Sequence, residues 1–212
     1  MTDTTKRPAP KQSRRAPAPD ERTLDAERSR RLLLDAALDE FSAKGYAGAR
    51  VQDIADRAGV NKQLINYYFG GKEGLYRELH RRWTEREAEF NDPAVPFDEI
   101  VARYLRHVLD DPRGARLNAW RGLTEDLDDI PPGEGEDLSD IERRQAAGEL
   151  APDLDPAAIM LAVMAMVSAP VTKPLAVRHV FGMDPRSPEF QERYAEQLRR
   201  IVRRLMTGSA DD

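Results

Sequence analysis

Not one cysteine occurs in the 212 residues. Disulfides, thiolate metal ligands and a cysteine nucleophile are therefore excluded, and a reducing compartment fits. Aromatic residues make up only 7%, and His80, His107 and His179 are the 3 histidines, too scattered to suggest a metal cluster. No stretch reaches the roughly 20 consecutive apolar residues of a membrane span. The best run, from Ala157 to Val171, is too short and is broken at Pro170. The basic start of the chain has no apolar segment behind it, so it does not read as a secretory signal. Alternating strand patterns, hairpin turn pairs and internal repeats are also missing, which leaves an all-α chain. These absences lead us to expect a cytoplasmic protein with no membrane partner, no cofactor and no metal.

What the chain does have is enough apolar content, 40%, for a substantial core. Its net charge of −5 hides an asymmetry: residues 1–82 sum to +5 and residues 83–212 to −10. A cationic front suits a polyanion, while an acidic remainder suppresses nonspecific adhesion. Residues 1–22 are rich in Pro, Ala, Lys and Arg and lack large apolar side chains, so they read as a disordered basic arm.

From Thr23 onward apolar residues recur at helical spacing. Leu33, Leu34, Ala37, Leu38 and Phe41 form one stripe that ends at Lys44-Gly45. Val51, Ile54, Ala55 and Ala58 form a second, closed by Gly59, and Asn61 is placed to cap a third helix that runs to about Phe69 before Gly70-Gly71. Further helices are expected at 72–90, 97–109, 112–127, 137–148, 156–169 and 188–206. Pro156 and Pro188 each follow a capping residue, Asp155 and Ser187.

Two short helices joined by Gly59-Val60-Asn61 have the spacing of a helix-turn-helix, whose second helix enters a major groove. Lys62, Gln63, Asn66 and Tyr67 occupy its outward positions. An amine suits phosphate or guanine, amides suit adenine edges, and a phenol suits phosphate. Arg50, Lys72 and the basic arm are placed to touch the DNA backbone. A helix-Gly-helix is by itself common in all-α domains, where it serves packing alone.

The wider run, "LLLDAALDEFSAKGYAGARVQDIADRAGVNKQLINYYFGGKEGLYREL", is far more specific. Through Ala36-Ala37, Phe41, Gly45-Tyr46, Ile54-Ala55, Ala58-Gly59-Val60, Tyr68-Phe69, Lys72-Glu73 and Leu75 it resembles the DNA-binding domain of the TetR family of bacterial transcriptional regulators. The resemblance is close over about residues 27–87 and continues loosely in "GELAPDLDP" and "GMDPRSPEF". It implies a three-helix DNA-binding domain at 23–71 and a helical effector-binding and dimerisation domain at 72–212. It also implies that Phe69 and the ring of Tyr68 anchor the third helix, while Tyr67 and the Tyr68 hydroxyl face phosphates. Many relatives carry a threonine where this chain has Val51, so that phosphate contact falls to Arg50, Gln52 or backbone N–H groups. Leu64 and Asn66 stand where Thr and Tyr are frequent, so the base sequence recognised does not carry over.

For the second domain the resemblance implies a small-molecule pocket without naming its ligand. Trp83, Tyr104, His107, Trp120 and Leu123 are the candidate lining, with plain core packing as the competing reading for each. Phe190, Tyr194, Leu198, Ile201 and Leu205 form a continuous stripe on the last helix, and 156–169, with Ile159, Val163 and Met166, is apolar nearly all round. The family's dimer seam is built from two such C-terminal helices per subunit, which assigns these eight residues to it.

The expected function is that of a homodimeric repressor that binds a palindromic double-stranded operator and is released by a small-molecule effector. An activator or dual regulator of the same fold is the alternative. An enzyme is the rival of a different class. Its best feature, "FGGKEGLY", fails the G-x-x-x-x-G-K-[ST] phosphate-loop pattern and follows no strand. A nonspecific architectural DNA binder would be basic throughout, which residues 83–212 are not.

Overall fold

A computed structural model describes residues 19–88, 92–126 and 136–206, and among these every regular element is a helix. In chain order these are α1 (Pro19–Gly48), α2 (Val51–Ala58), α3 (Gln63–Phe69), α4 (Lys72–Ala88) and α5 (Phe97–Asp110). They are followed by α6 (Arg113–Thr124), α7 (Ser139–Ala146), α8 (Pro156–Thr172), α9 (Pro174–Phe181) and α10 (Pro188–Arg203).

The start of α1 corrects the extent of the arm: residues 19–22 are helical, and 1–18 lie outside the described residues. A proline at the first position is compatible with this, because its fixed φ suits the first helical turn. The expected break at Gly45 is present. Its backbone takes φ 67 and ψ 175, a conformation costly for any residue with a β-carbon. The chain is thereby redirected from the long stem of α1 into the approach to α2.

Two cores result. The first gathers Leu33, Ala37 and Phe41 of α1, Ile54 and Ala55 of α2, Ile65 of α3 and Leu75 and Leu79 of α4. Leu117 of α6 is buried in the same cluster. The boundary drawn at residue 71 thus falls before a helix whose first half completes the first core. The second core is centred on α5, which packs against α8 and α10, with Phe97, Val101 and Leu105 meeting Ile159, Val163, Leu198 and Val202.

Electrostatics fixes the second core. Arg203 donates to the buried Asp98 at 2.8 Å, and Arg199 pairs with Glu99, so two of the arginines beside the α10 stripe tie it to α5. The wholly buried Arg144 of α7 donates to Asp140 and Glu149, each at 2.7 Å, and to the carbonyls of Val95 and Asp92. Glu149 in turn accepts from the N–H of Phe97 at 2.7 Å, satisfying an orphan donor at the start of α5. A buried guanidinium is tolerated because its charge and donors are met.

Two expectations are corrected here. Pro170 does not end α8, which runs on to Thr172; α9 was not expected at all. Among the described residues no single helix is long and apolar enough to cross a membrane, and α8 and α9 meet at a bend of 89°.

Candidate functional site

The turn between α2 and α3 sets the surface. Gly59 adopts φ 67, and its N–H and that of Val60 close α2 on the carbonyls of Asp56 and Ala55 at 3.2 and 3.1 Å. Val60 packs on the first core. Asn61 Oδ1 then accepts from the N–H of Gln63 at 2.8 Å, so the asparagine starts α3 as its side chain predicts. With Ile65 buried, the other face of α3 must point away from the core. Lys62, Gln63, Asn66 and Tyr67 are all exposed, Tyr67 by 79%.

The three adjacent rings divide as their chemistry suggests. Tyr68 and Phe69 are half-buried and pack against the first core. Tyr67 stands edge-on to Tyr68, with centroids 5.0 Å apart, and projects outward. Around them, Arg50 is exposed at the N-terminus of α2, while Gln52 donates to Asp56 at 2.8 Å on its own helix. Lys72 is half-buried with Nζ 4.5 Å above the Tyr46 ring, and burial pulls its pKa below the ordinary lysine value. An ammonium held over a ring is available to phosphate at little cost in side-chain freedom.

The second domain holds a cavity of about 540 Å³ between α5, α6 and α8, with α7 at its border. Of the five candidate lining residues, Trp83, Tyr104 and His107 are on its wall. Trp120 and Leu123 are not. The Trp120 indole packs on Gly45 and donates to the carbonyl of Ser42 at 3.3 Å, while Leu123 is 81% exposed. Periodicity put both on α6 but could not say which side of that helix faces α1. The cavity wall also includes Asn118 of α6 and Met160 and Met164 of α8, which the sequence reading missed. The signal for the two methionines was the apolar circumference of α8: Ile159, Val163 and Val167 are core, and Val163 and Val167 also border the cavity beside Met160 and Met164.

The expected dimer residues are redistributed. Ile159, Val163, Phe190 and Leu198 are buried within the chain's own core, so they have no surface to offer a partner. A stripe of apolar residues records burial without recording what covers it. Met166, Tyr194 and Leu205 are half-buried, and Tyr194 donates to the carbonyl of Met166 at 2.7 Å. Of the eight, Ile201 is the one clearly exposed, by 50%.

With this geometry in hand, the relatives are informative. The family model for bacterial regulatory proteins, tetR family, matches residues 33–79, and that for the tetracyclin repressor-like C-terminal domain matches residues 97–204. The chain belongs to the TetR family. The HTH-type transcriptional regulator RutR of Escherichia coli K12 is 30% identical over 188 residues, covering 82% of this chain and 88% of RutR. The HTH-type transcriptional repressor NicS of Pseudomonas putida is 34% identical over 98 residues, covering 41% of this chain and 46% of NicS. Among solved structures, SCO4942 of Streptomyces coelicolor superposes with a TM-score of 0.68 at 26% identity, covering 84% of this chain and 98% of that one. This TetR-family chain is a helix-turn-helix transcriptional regulator, of a family that is not enzymatic.

Proposed function

We propose that this TetR-family regulator is a homodimeric, cytoplasmic repressor that binds a palindromic operator through α3 and leaves it when a small molecule fills the α5–α6–α8 cavity. The carrying observation is the exposed row Lys62, Gln63, Asn66 and Tyr67 on a helix whose opposite side is fixed by Ile65. Repression is favoured by the name of its relative NicS. Arg50, Gln52, Tyr68 and Lys72 serve the DNA backbone; Lys62, Gln63, Asn66 and Tyr67 face the groove.

Release requires a connection from cavity to α3, and α6 supplies one. Ala115, Asn118 and Ala119 line the cavity, while Leu117 is buried in the first core. Arg113 on the same helix donates to Asp35 and Asp39 of α1, each at 2.8 Å. A ligand that displaces α6 therefore moves the DNA-binding half as a body, and two such bodies in a dimer lose their match to successive major grooves. Helix α4 is the second connection, with Leu75 in the first core and Trp83 at the cavity.

The test is selection of an operator from random duplex DNA by the purified protein, followed by affinity measurement with and without a ligand found by thermal-shift screening. The reading requires a strong preference for the selected site over random duplex. It also requires a ligand that weakens that preference; a hundredfold loss corresponds to a coupling of about 2.7 kcal/mol. A tight cavity ligand that leaves operator affinity unchanged refutes release and spares the DNA-binding assignment.

A further inference from the structure

Behind the DNA-binding surface lie two recesses of opposite electrical character. The smaller, about 290 Å³ between α1, α4 and α6, is bordered by Arg31, Arg82, Arg113 and Arg121. Three of these guanidinium groups are already engaged: Arg82 by Glu78, Arg113 by Asp111, and Arg121 by Glu125. The larger is the cavity of about 540 Å³, and no lysine or arginine is among the described residues that line it.

Its polar groups point to one sign of ligand charge. Carboxylates stand at its border, from Glu136, Asp137 and Asp140. Asp140 is matched by Arg143 at 2.6 Å and Arg144 at 2.7 Å. Asp137 accepts from the N–H of Ser139 at 2.9 Å, a bond that holds its carboxyl below the usual carboxylate range, and it forms no ion pair among the described residues. Glu136 beside it is exposed. The hydroxyls on the α8 wall offer little to an anion, since Ser168 donates to the carbonyl of Ala165 and Thr172 to that of Ser168, at 3.4 and 3.0 Å. His107 and Asn118 add an imidazole and an amide, and the rest of the wall is apolar and includes the aromatic side chains of Trp83 and Tyr104, a type of side chain that attracts cations.

An anion entering this cavity would surrender hydration, find no lysine or arginine on its wall and meet the carboxylates of Glu136 and Asp137. A cation would meet those carboxylates at the border while its apolar body filled the interior. We propose that the cavity takes an organic cation with a bulky apolar body and discriminates against anions of the same shape. This rests on reading the cavity as the effector site.

Tetraphenylphosphonium and tetraphenylborate are the probes, because they are alike in shape and apolar surface and opposite in charge. Calorimetric titration of the full-length protein should show the phosphonium binding at least about tenfold tighter, a difference of about 1.4 kcal/mol. The double variant Glu136→Gln/Asp137→Asn, which removes both charges but keeps an acceptor for Ser139, should lose most of that preference. Equal or tighter binding of the borate, binding of neither probe, or a preference untouched by the double variant would overturn the proposal. Operator affinity measured with saturating phosphonium separates this from the release reading: selective binding without any change on DNA upholds the ligand class and removes the release mechanism.

Discussion

Gly114 leaves no room for a side chain: a β-carbon there would stand 1.5 Å from Cζ3 of Trp83. The indole therefore lies flush on α6, which is how a residue of α4 comes to wall a cavity formed largely by other helices. Gly114→Ala should lift the ring, cost about 1–3 kcal/mol by overpacking and shift the tryptophan emission. Thermal melts and fluorescence check this, and an unchanged spectrum would show that the ring has another way to settle. On α3 the side chains are tested one at a time. Gln63→Ala or Asn66→Ala should cost about 1–3 kcal/mol on the selected operator and relax preference at one base position. Lys72→Ala should instead weaken all duplexes alike and reduce the salt dependence by about one phosphate contact. Of the aromatic trio, it was the family resemblance that separated exposed Tyr67 from Phe69 packed on the first core; the half-buried position of Tyr68 needed the packing.

At the scale of elements, helix starts were the most legible feature. Asp155 accepts from the N–H groups of Ala157 and Ala158, and Ser187 from that of Phe190, as the Asp-Pro and Ser-Pro pairs predict. Asp155→Ala should lower stability by about 1 kcal/mol, read from urea melts. Ends were less legible, since Pro170 sits inside α8, where packing outweighs the hydrogen bond that proline cannot donate. Helix α9 escaped because it is only 8 residues long and its exposed Leu175 and Val180 blur any one-sided pattern. The buried Arg144 is invisible to periodicity, because its partners come from residues 92–95, 140 and 149 together. Arg144→Ala would take one partner each from the carboxylates of Asp140 and Glu149 and leave the carbonyls of Asp92 and Val95 without its donors, and we expect a loss of about 3–5 kcal/mol. A melt within 1 kcal/mol of wild type, roughly, would show the network to be dispensable.

For the whole molecule, the proposed dimer seam is tested by a contrast between two positions three residues apart. Leu198 is core at 1% exposure and Ile201 is half-exposed. Leu198→Glu should unfold the chain by burying an unpaired carboxylate, whereas Ile201→Glu should leave a folded protein that sediments as a monomer. A dimeric Ile201→Glu variant would move the seam elsewhere, the exposed Leu175 and Val180 of α9 being the next candidates. Acid sensitivity is also collective. Hydrogen bonds from Arg81 and then Arg82 hold the Glu78 carboxyl down from 4.5 to about 2. Because the folded value is the depressed one, the stability this group contributes is complete above pH 4.5 and fades as pH falls toward 2. The penalty of Glu78→Gln should therefore be present at neutral pH and vanish near pH 2, which paired melts across that window would show.

The sequence by itself determined the helices other than α9, the helix-turn-helix and the exposed side of α3, because these depend on interactions among residues a few positions apart. It also determined the family, through a dense local pattern of small and aromatic residues. Only the tertiary structure decided that Trp83 walls the cavity while Trp120 packs on Gly45, that Leu117 joins the first core, and that Ile159, Val163, Phe190 and Leu198 face inward. The physical reason is common to all of these. An apolar stripe gains the same free energy from any apolar surface that removes it from water, so burial is written in the chain but the covering partner is not. That choice is made when α5, α6, α8 and α10 pack, by shape and by charge pairs such as Arg203 with Asp98 that join residues far apart in sequence.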